Sequence, residues 1–263
     1  MNIRTLFSLL KVLLLPCFAL LPRLCQAAAE NPAPIRALYV TGGGYHDYKT
    51  LNPVLTSSIT KYARVEFTML NDLNGLKNPD FARDYDVVVY NMCYKCDGDF
   101  DMLPIENAKK TITDGKPALM VHCAMHCFRK GDEWSECCGL LTKHHDGRRS
   151  FSTKKSLPMH PIANDFPDHW STPGDELYQN IRFPETSTPV LTAYSVQSKT
   201  DHVVAWVQTL GKGRVFGTTL GHDLQTCGDE HYHRLLASGL LWACGKLDAQ
   251  GKPAPGFAGQ ESK

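Results

Sequence analysis

The feature that most constrains this chain is a short apolar run followed at once by reactive side chains. Residues 115–129 read GKPALMVHCAMHCFR, and residues 118–121 have the length and composition of a fully buried strand. The next six residues, HCAMHC, supply four nucleophiles, bases or metal ligands. In open α/β sheets, ligands bind beyond the carboxyl ends of the strands. The stretch therefore predicts a buried strand that runs into a site through a turn resembling a nucleophile elbow.

Apolar runs alternate with helical patterns along most of the chain. Strands are predicted at residues 35–40, 65–70, 85–91, 189–194, 202–209 and 214–220, and helices at residues 104–114 and 230–244. A further helix is expected to begin at Asn52-Pro53, with Asn52 as its cap. Residues 131–174 show little periodicity, which is typical of a functional loop or of minor strands. The alternation predicts an α/β fold with a mainly parallel sheet covered on both faces. Gly211-Lys212 predicts a C-terminal β-hairpin.

The two ends of the chain differ in composition from the middle. Residues 1–29 combine a basic start, an apolar segment and small residues near Ala27 and Ala29, which predicts a secretory signal peptide. Residues 30–246 form the predicted domain, and the Gly-, Pro- and Lys-rich residues 247–263 a flexible tail. The protein is therefore expected to be periplasmic or secreted.

The charge balance gives no argument for a polyanionic partner. The chain has 28 basic and 27 acidic residues and a net charge of +1. We therefore expect no nucleic-acid binding, and no membrane contact beyond the signal peptide. The oligomeric state stays open, and a homo-oligomer is compatible with the sequence.

Eight cysteines lie beyond the predicted signal peptide. An even number in an oxidising compartment favours disulfides, although eight cysteines allow 105 complete pairings. The alternatives are a metal or redox site built on Cys93-x-x-Cys96, and free thiols. The eight are Cys93, Cys96, Cys123, Cys127, Cys137, Cys138, Cys227 and Cys244.

Histidines follow several of the predicted strands. His46 comes after the first strand and its glycine-rich turn, His122 after the central one, and His222 after the last. A single histidine at such a position is more often structural, but a shared sheet edge favours a site. The candidate catalytic residues are His122, His46, His222, Glu176 and Tyr178, and the candidate substrate-binding residues are Gly43, Gly44, Cys123, His145 and Asp223.

Three chemistries remain open for this group. Histidine near its ordinary pKa suits general acid–base work, such as proton abstraction next to a carbonyl. His46, His122 and His222 would also suit a divalent metal, zinc or manganese. The third chemistry is nucleophilic attack by Cys123, which requires a histidine partner.

Several segments together resemble the ThuA-like (trehalose utilisation) family. They include GGGYHD at residues 42–47, VHCAMHCF at 121–128, HPI at 160–162, DELY at 175–178 and VAWVQTLGKGRVFGTTLGHD at 204–223. The resemblance implies a flavodoxin-like, three-layer fold similar to class I glutamine amidotransferases. It places His122, not Cys123, at the elbow, and no His-x-Glu pair follows, so a glutaminase is not expected.

The same resemblance implies a role in sugar metabolism. We expect an enzyme that acts on a small-molecule carbohydrate, namely a trehalose-like disaccharide or a keto-sugar. A non-catalytic sugar-binding protein and a disulfide-rich extracellular scaffold with structural histidines are the alternatives.

Overall fold

Strands and helices alternate along the part of the chain that the computed structural model describes, residues 31–94 and 98–261. The predicted signal peptide and Cys96 lie outside the described residues. The strands are β1 (Ile35–Gly43), β2 (Val65–Leu70), β3 (Val87–Cys93), β4 (Ala118–Val121), β5 (Leu141–His145), β6 (Ser152–Lys155), β7 (Trp170–Ser171), β8 (Tyr178–Arg182), β9 (Ser187–Tyr194), β10 (Asp201–Leu210) and β11 (Gly213–Thr218). The helices are α1 (Tyr48–Tyr62), α2 (Leu103–Thr113), α3 (Glu133–Cys138), α4 (Pro161–Asn164), α5 (Leu224–Cys227) and α6 (Glu230–Ala243), and 3-10 turns cover Leu73–Lys77 and His122–His126.

Nine of these strands form one sheet in the order β2-β1-β3-β4-β11-β10-β9-β6-β7. The first five strands of that order are parallel to one another, and the remaining neighbours pair antiparallel. The turn at Gly211-Lys212 joins β10 to β11 as the predicted hairpin. The predicted α/β class with a mainly parallel sheet is confirmed.

The sheet is buried on both faces. Along β3, Val87 and Val89 belong to the apolar core that includes side chains of α1 and α6. Val88 and Tyr90 point the other way, into the core that includes side chains of α2 and α3. Parallel strands covered on both faces read as continuous apolar runs, which explains the uninterrupted sequence of β3.

The predicted start of the first helix is wrong. Helix α1 begins at Tyr48, because the side chain of Asp47 accepts the backbone N–H of Thr50 at 3.2 Å. Asn52 lies inside the helix, where its side-chain oxygen accepts the hydroxyl of buried Thr41. A cap and a buried hydrogen-bond partner look alike in sequence, and only the position of β1 separates them.

The C-terminal segment packs on the domain, although the sequence predicts a flexible tail from residue 247. The carbonyl of Phe257 accepts the backbone N–H of Arg64 at 2.9 Å, and Ala258 forms an antiparallel bridge with Ala63. The Phe257 ring packs against the core that contains α1 and α6. One aromatic anchor and a few backbone hydrogen bonds thus hold a segment whose composition alone favours mobility.

The parallel strands bring their carboxyl ends to one edge of the sheet. The residues that follow β1, β3, β4 and β11 therefore meet there, and they include His46, His122 and His222. Among the described residues, no helix combines the length and apolar composition of a bilayer span.

Candidate functional site

His122 occupies the elbow between β4 and the turn that follows it. Its φ of 48° is in the left-handed region, which bulky residues rarely adopt. The ring is buried, and its Nδ1 lies 2.7 Å from the carbonyl oxygen of Thr219. A carbonyl only accepts, so Nδ1 carries the proton. The neutral ring therefore keeps the lone pair on Nε2.

His46 is held in the same way in the turn after β1. Its Nδ1 lies 3.1 Å from the carbonyl oxygen of His222, so this nitrogen also donates. The His46 ring centroid is 4.8 Å from that of His122 and 5.1 Å from that of His222. Backbone acceptors thus orient two of the three histidines, as outer-shell partners do in metal sites and catalytic sites.

Asp175 holds the loop that carries His222. This buried carboxylate accepts the backbone N–H of Gly221 at 2.8 Å and that of His222 at 3.3 Å. Burial raises its pKa to about 6, although these hydrogen bonds act in the opposite direction. Asp175 therefore has a structural role in the DELY segment, and it positions the site without lining its cavity.

Glu176 lies among three histidines. One carboxylate oxygen, Oε2, is 3.2 Å from Nδ1 of His222 and 3.8 Å from Nε2 of His122. The other, Oε1, is 3.8 Å from Nδ1 of His145. These are ion-pair distances, so Glu176 compensates whatever positive charge the histidines acquire.

Burial and neighbouring charges set the protonation states at the site. Burial, reinforced by His46, holds the pKa of His122 well below its ordinary value. The carboxylate of Glu176 raises the pKa of His222. Burial would raise the pKa of Glu176, but His222 and His145 outweigh it and lower that pKa. Near neutral pH, Glu176 is ionised, and His122 is a neutral base with a free Nε2.

Tyr178 faces His122 and anchors a stack of rings. Its hydroxyl lies 3.4 Å from Nε2 of His122. The ring of His126 stacks on the Tyr178 ring at a centroid distance of 4.0 Å, with an angle of 2° between the planes. Burial and the charge of Arg129 lower the pKa of His126 to about 3, so His126 is neutral.

A cavity of about 290 Å³ opens in front of these groups. Sequence reasoning missed three of its lining residues, Tyr45, His126 and Arg129. The four-residue spacing of His126 from His122 is a signal that one helical turn returns to the same side. The cavity is lined by Tyr45, His46, Cys93, Cys123, His126, Arg129, His145, Glu176, Tyr178 and His222.

Cys123 reaches the cavity, but not as a thiol. It forms a disulfide with Cys93 across the neighbouring strands β4 and β3. A bonded sulfur carries no thiolate, so the hypothesis of a Cys123 nucleophile does not fit this oxidised state.

Three other candidate residues have local roles. Gly43 has a φ of 103°, and a side chain there would collide with the backbone of Cys93. Gly44 faces open space, and Asp223 caps α5 and pairs with Arg148. None of the three lines the cavity. His145 does, so the structure brings His145 and Cys123 to the site but not the other three predicted substrate-binding residues.

The histidine cluster has the donor set of a metal site. One ring nitrogen from each of His46, His122 and His222 lies within 4.8 Å of the other two. Three imidazoles with a nearby carboxylate suit zinc and related divalent ions. The residues present therefore fit a metal, and they fit acid–base chemistry equally.

A family model described as "ThuA: Trehalose utilisation" matches residues 36–243, which is most of the chain. The chain belongs to the ThuA family. That description connects this ThuA domain with trehalose utilisation. No curated protein matches the chain in sequence.

Solved structures agree with the ThuA assignment at the level of the fold. A ThuA-like protein from Parabacteroides merdae superposes with a TM-score of 0.69 at 20% identity, covering 88% of this chain and 99% of that one. A ThuA-like protein from Bacteroides uniformis gives 0.66 at 13% identity, with 86% and 96% covered. A GMP synthase protein from Thermoplasma acidophilum gives 0.53 at 13% identity, with 80% and 94% covered. The predicted relation to amidotransferase folds is thus confirmed for the architecture.

Proposed function

We propose that this ThuA protein is an exported carbohydrate-active enzyme that acts on a trehalose-like disaccharide or its keto form. His122 serves as the general base at the elbow, and Tyr178 and Glu176 support it. The observation that carries the proposal is the position of His122, whose Nδ1 is fixed by a backbone carbonyl while Nε2 faces a hydroxyl and a carboxylate.

This geometry suits the removal of a proton next to a carbonyl. A general base must be unprotonated and within reach of the proton it takes. His122 is neutral because burial lowers its pKa, and its Nε2 points toward the cavity residues Tyr178 and Glu176. Glu176 can stabilise the imidazolium that forms, and Tyr178 can donate a hydrogen bond to a developing oxyanion.

A divalent metal, zinc or manganese, fits the same residues. His46, His122 and His222 would hold it, and a bound metal would polarise a carbonyl oxygen of the substrate. With metal bound, His122 becomes a ligand and Glu176 the remaining base. Metal dependence of the reaction therefore distinguishes the two arrangements.

The cavity wall suits a sugar better than an apolar ligand. Tyr45 is 62% exposed at the cavity, where an aromatic ring can stack on the apolar face of a pyranose. Imidazole, carboxylate and guanidinium groups on the other sides can bind hydroxyls. The proposed partner is therefore a small-molecule carbohydrate, met in the periplasm or outside the cell.

Deuterium exchange followed by NMR tests the proposal. The mature protein is incubated in deuterated buffer with trehalose, other disaccharides and their 3-keto derivatives, with and without zinc or manganese. We expect deuterium next to the carbonyl or a new sugar product, and His122→Asn should lower the rate about 100-fold or more. Asparagine is chosen because it tolerates the left-handed backbone of residue 122.

The control is His169→Asn, which removes an exposed histidine outside the cavity and should leave the rate unchanged. Wild-type turnover in His122→Asn would remove His122 as the base. Saturable sugar binding without turnover would instead favour the sugar-binding protein. Neither binding nor turnover, with loss of stability in the histidine variants, would favour the disulfide-rich scaffold.

A further inference from the structure

The disulfide on the cavity wall ties together the ends of two neighbouring strands. Cys93 is the last residue of β3, and Cys123 follows the elbow residue His122 after β4. Both cysteines line the cavity that His46 also lines. The bond is therefore part of the candidate site and is not a remote structural staple.

The two sulfurs lie beside a histidine ring. One ring nitrogen of His46 and the Sγ atoms of Cys93 and Cys123 all lie within 4.8 Å of one another. Disulfide sulfurs are uncharged and are not the sulfur ligands that metals take, whereas thiolates bind zinc strongly. The three side chains thus hold latent metal ligands that only the S–S bond masks.

We propose that reduction of the Cys93–Cys123 disulfide creates a second metal site, made of His46, Cys93 and Cys123, for zinc or a similar thiolate-binding ion. A dithiol reductant supplies two electrons and two protons, so that the S–S bond breaks and two S–H groups form while the reductant closes its own disulfide. The ion then replaces the two thiol protons, which pass to solvent.

The new site shares one residue with the three-histidine group. His46 can bind through its available ring nitrogen to only one ion at a time, so the sulfur set competes with His122 and His222 for it. Reduction therefore draws an ion away from Glu176 and toward the disulfide side of the cavity. The redox state of one bond thus selects which ligands an ion meets.

Other described cysteines lack this setting. Cys137 and Cys138 are buried in an apolar core, and burial raises the pKa of Cys137 to about 12. Cys127 accepts the backbone N–H of Tyr94 and directs its Sγ toward the carbonyl of Met92. Within residues 31–94 and 98–261, only Cys93 and Cys123 combine two sulfurs with a histidine at ligand distance in this cavity.

Cobalt(II) titration of the oxidised and the reduced mature protein tests the proposal without any substitution. Cobalt substitutes for zinc, and its bonds to thiolates give an intense charge-transfer absorption that nitrogen and oxygen ligands do not. We expect this absorption only after reduction, together with two additional titratable thiols per chain and displacement of cobalt by zinc. An identical spectrum in both states, with the two thiols counted, would overturn the proposal.

Variants then assign the ligands. Cys93→Ser and Cys123→Ser should abolish the charge-transfer absorption, and His46→Ala should weaken cobalt binding at least tenfold, with far-UV circular dichroism confirming the fold. Cys244→Ser is the matched control, because this half-buried thiol lies outside the cavity, and it should keep the absorption. Retention of the absorption in Cys123→Ser would also refute the site. These readouts are optical, so absence of sugar turnover would leave the result intact.

Discussion

At the scale of single residues, the elbow histidine shows how the fold fixes a reactive group. A left-handed backbone costs a non-glycine residue about 1–3 kcal/mol, and His122 adopts it with φ at 48°. The hydrogen bond from Nδ1 to the Thr219 carbonyl and the surrounding rings hold it there. The strained turn aims the ring into the cavity, which an extended residue after β4 would not do.

Asp175→Asn should destabilise the protein and disorder the His222 loop. The carboxylate accepts backbone N–H groups of Gly221 and His222, and an amide would turn a donor toward at least one of them. We expect the free energy of unfolding to fall by about 1–3 kcal/mol, as measured by urea unfolding. Asp201→Asn, at an exposed position, is the control and should change stability little; equal stability of the two variants would contradict this role.

Tyr45→Ala should weaken binding of the sugar without affecting the fold. The exposed ring offers a stacking surface at the cavity, worth about 0.5–1.5 kcal/mol, which corresponds to roughly a 2- to 10-fold rise in Kd or KM. Isothermal titration calorimetry with the best sugar of the panel measures it. Tyr45→Phe keeps the ring and should bind like wild type. An unchanged Kd in Tyr45→Ala would remove Tyr45 from the binding surface.

At the scale of elements, helix α6 packs closely on strand β11. A Cβ added at Gly239 would lie 2.3 Å from the ring of Phe216, so the helix reaches the sheet only because this position has no side chain. The close approach matters for the site, since β11 leads directly into residues 219–222. Packing on the helix side therefore supports the position of His222.

Gly239→Ala sets two effects against each other. Alanine improves helix propensity by about 1 kcal/mol, whereas overpacking a core contact costs about 1–3 kcal/mol. Because Phe216 is fully buried and cannot move outward, we expect net destabilisation. Thermal unfolding measures it, with Ser238→Ala, on the neighbouring and less buried position, as the control. A higher Tm in Gly239→Ala than in wild type would show that the helix shifts freely.

At the scale of the whole molecule, buried Asp146 joins three segments. Its carboxylate accepts the side chains of Gln179 in β8 and Ser195 after β9, at 2.9 and 2.6 Å, and pairs with Arg149. Burial would raise its pKa, but these hydrogen bonds and the arginine lower it. This group therefore links the two-stranded sheet of β5 and β8 to the main sheet.

The lowered pKa predicts how stability depends on pH. A carboxylate with a lowered pKa contributes stability above its unfolded pKa of about 3.9 and loses it as pH falls through the folded value. Asp146→Asn should be less stable than wild type at pH 7, and its free energy of unfolding should fall less below about pH 4. Urea unfolding at several pH values measures both. Parallel pH profiles for the two proteins would contradict the prediction.

Removal of residues 253–263 should lower the Tm. The truncation deletes the Phe257 ring that packs on the core, its backbone bond to Arg64 and the bridge at Ala258. Differential scanning calorimetry compares the truncated and full chains, and Phe257→Ala in the full chain separates the ring from the backbone contacts. An unchanged Tm on truncation would support the flexible tail that composition predicts.

The sequence by itself determined the architecture and three members of the site. Alternating strands and helices dictate a parallel sheet, and parallel strands place their carboxyl ends together, so His46, His122 and His222 could be grouped from their positions after strands. The signal peptide, the metal, the substrate and the oligomeric state remain predictions.

The tertiary structure alone decided which groups complete the site. Local periodicity relates residues two to four apart, whereas the disulfide joins cysteines 30 residues apart and Tyr178 meets a histidine 56 residues away. Eight cysteines allow 105 pairings, and strand order chooses Cys93 with Cys123 because β3 and β4 are neighbours. The packing of Glu176 among the histidines and of Phe257 on the core depends on distant segments in the same way. Such contacts arise only when the whole sheet is assembled.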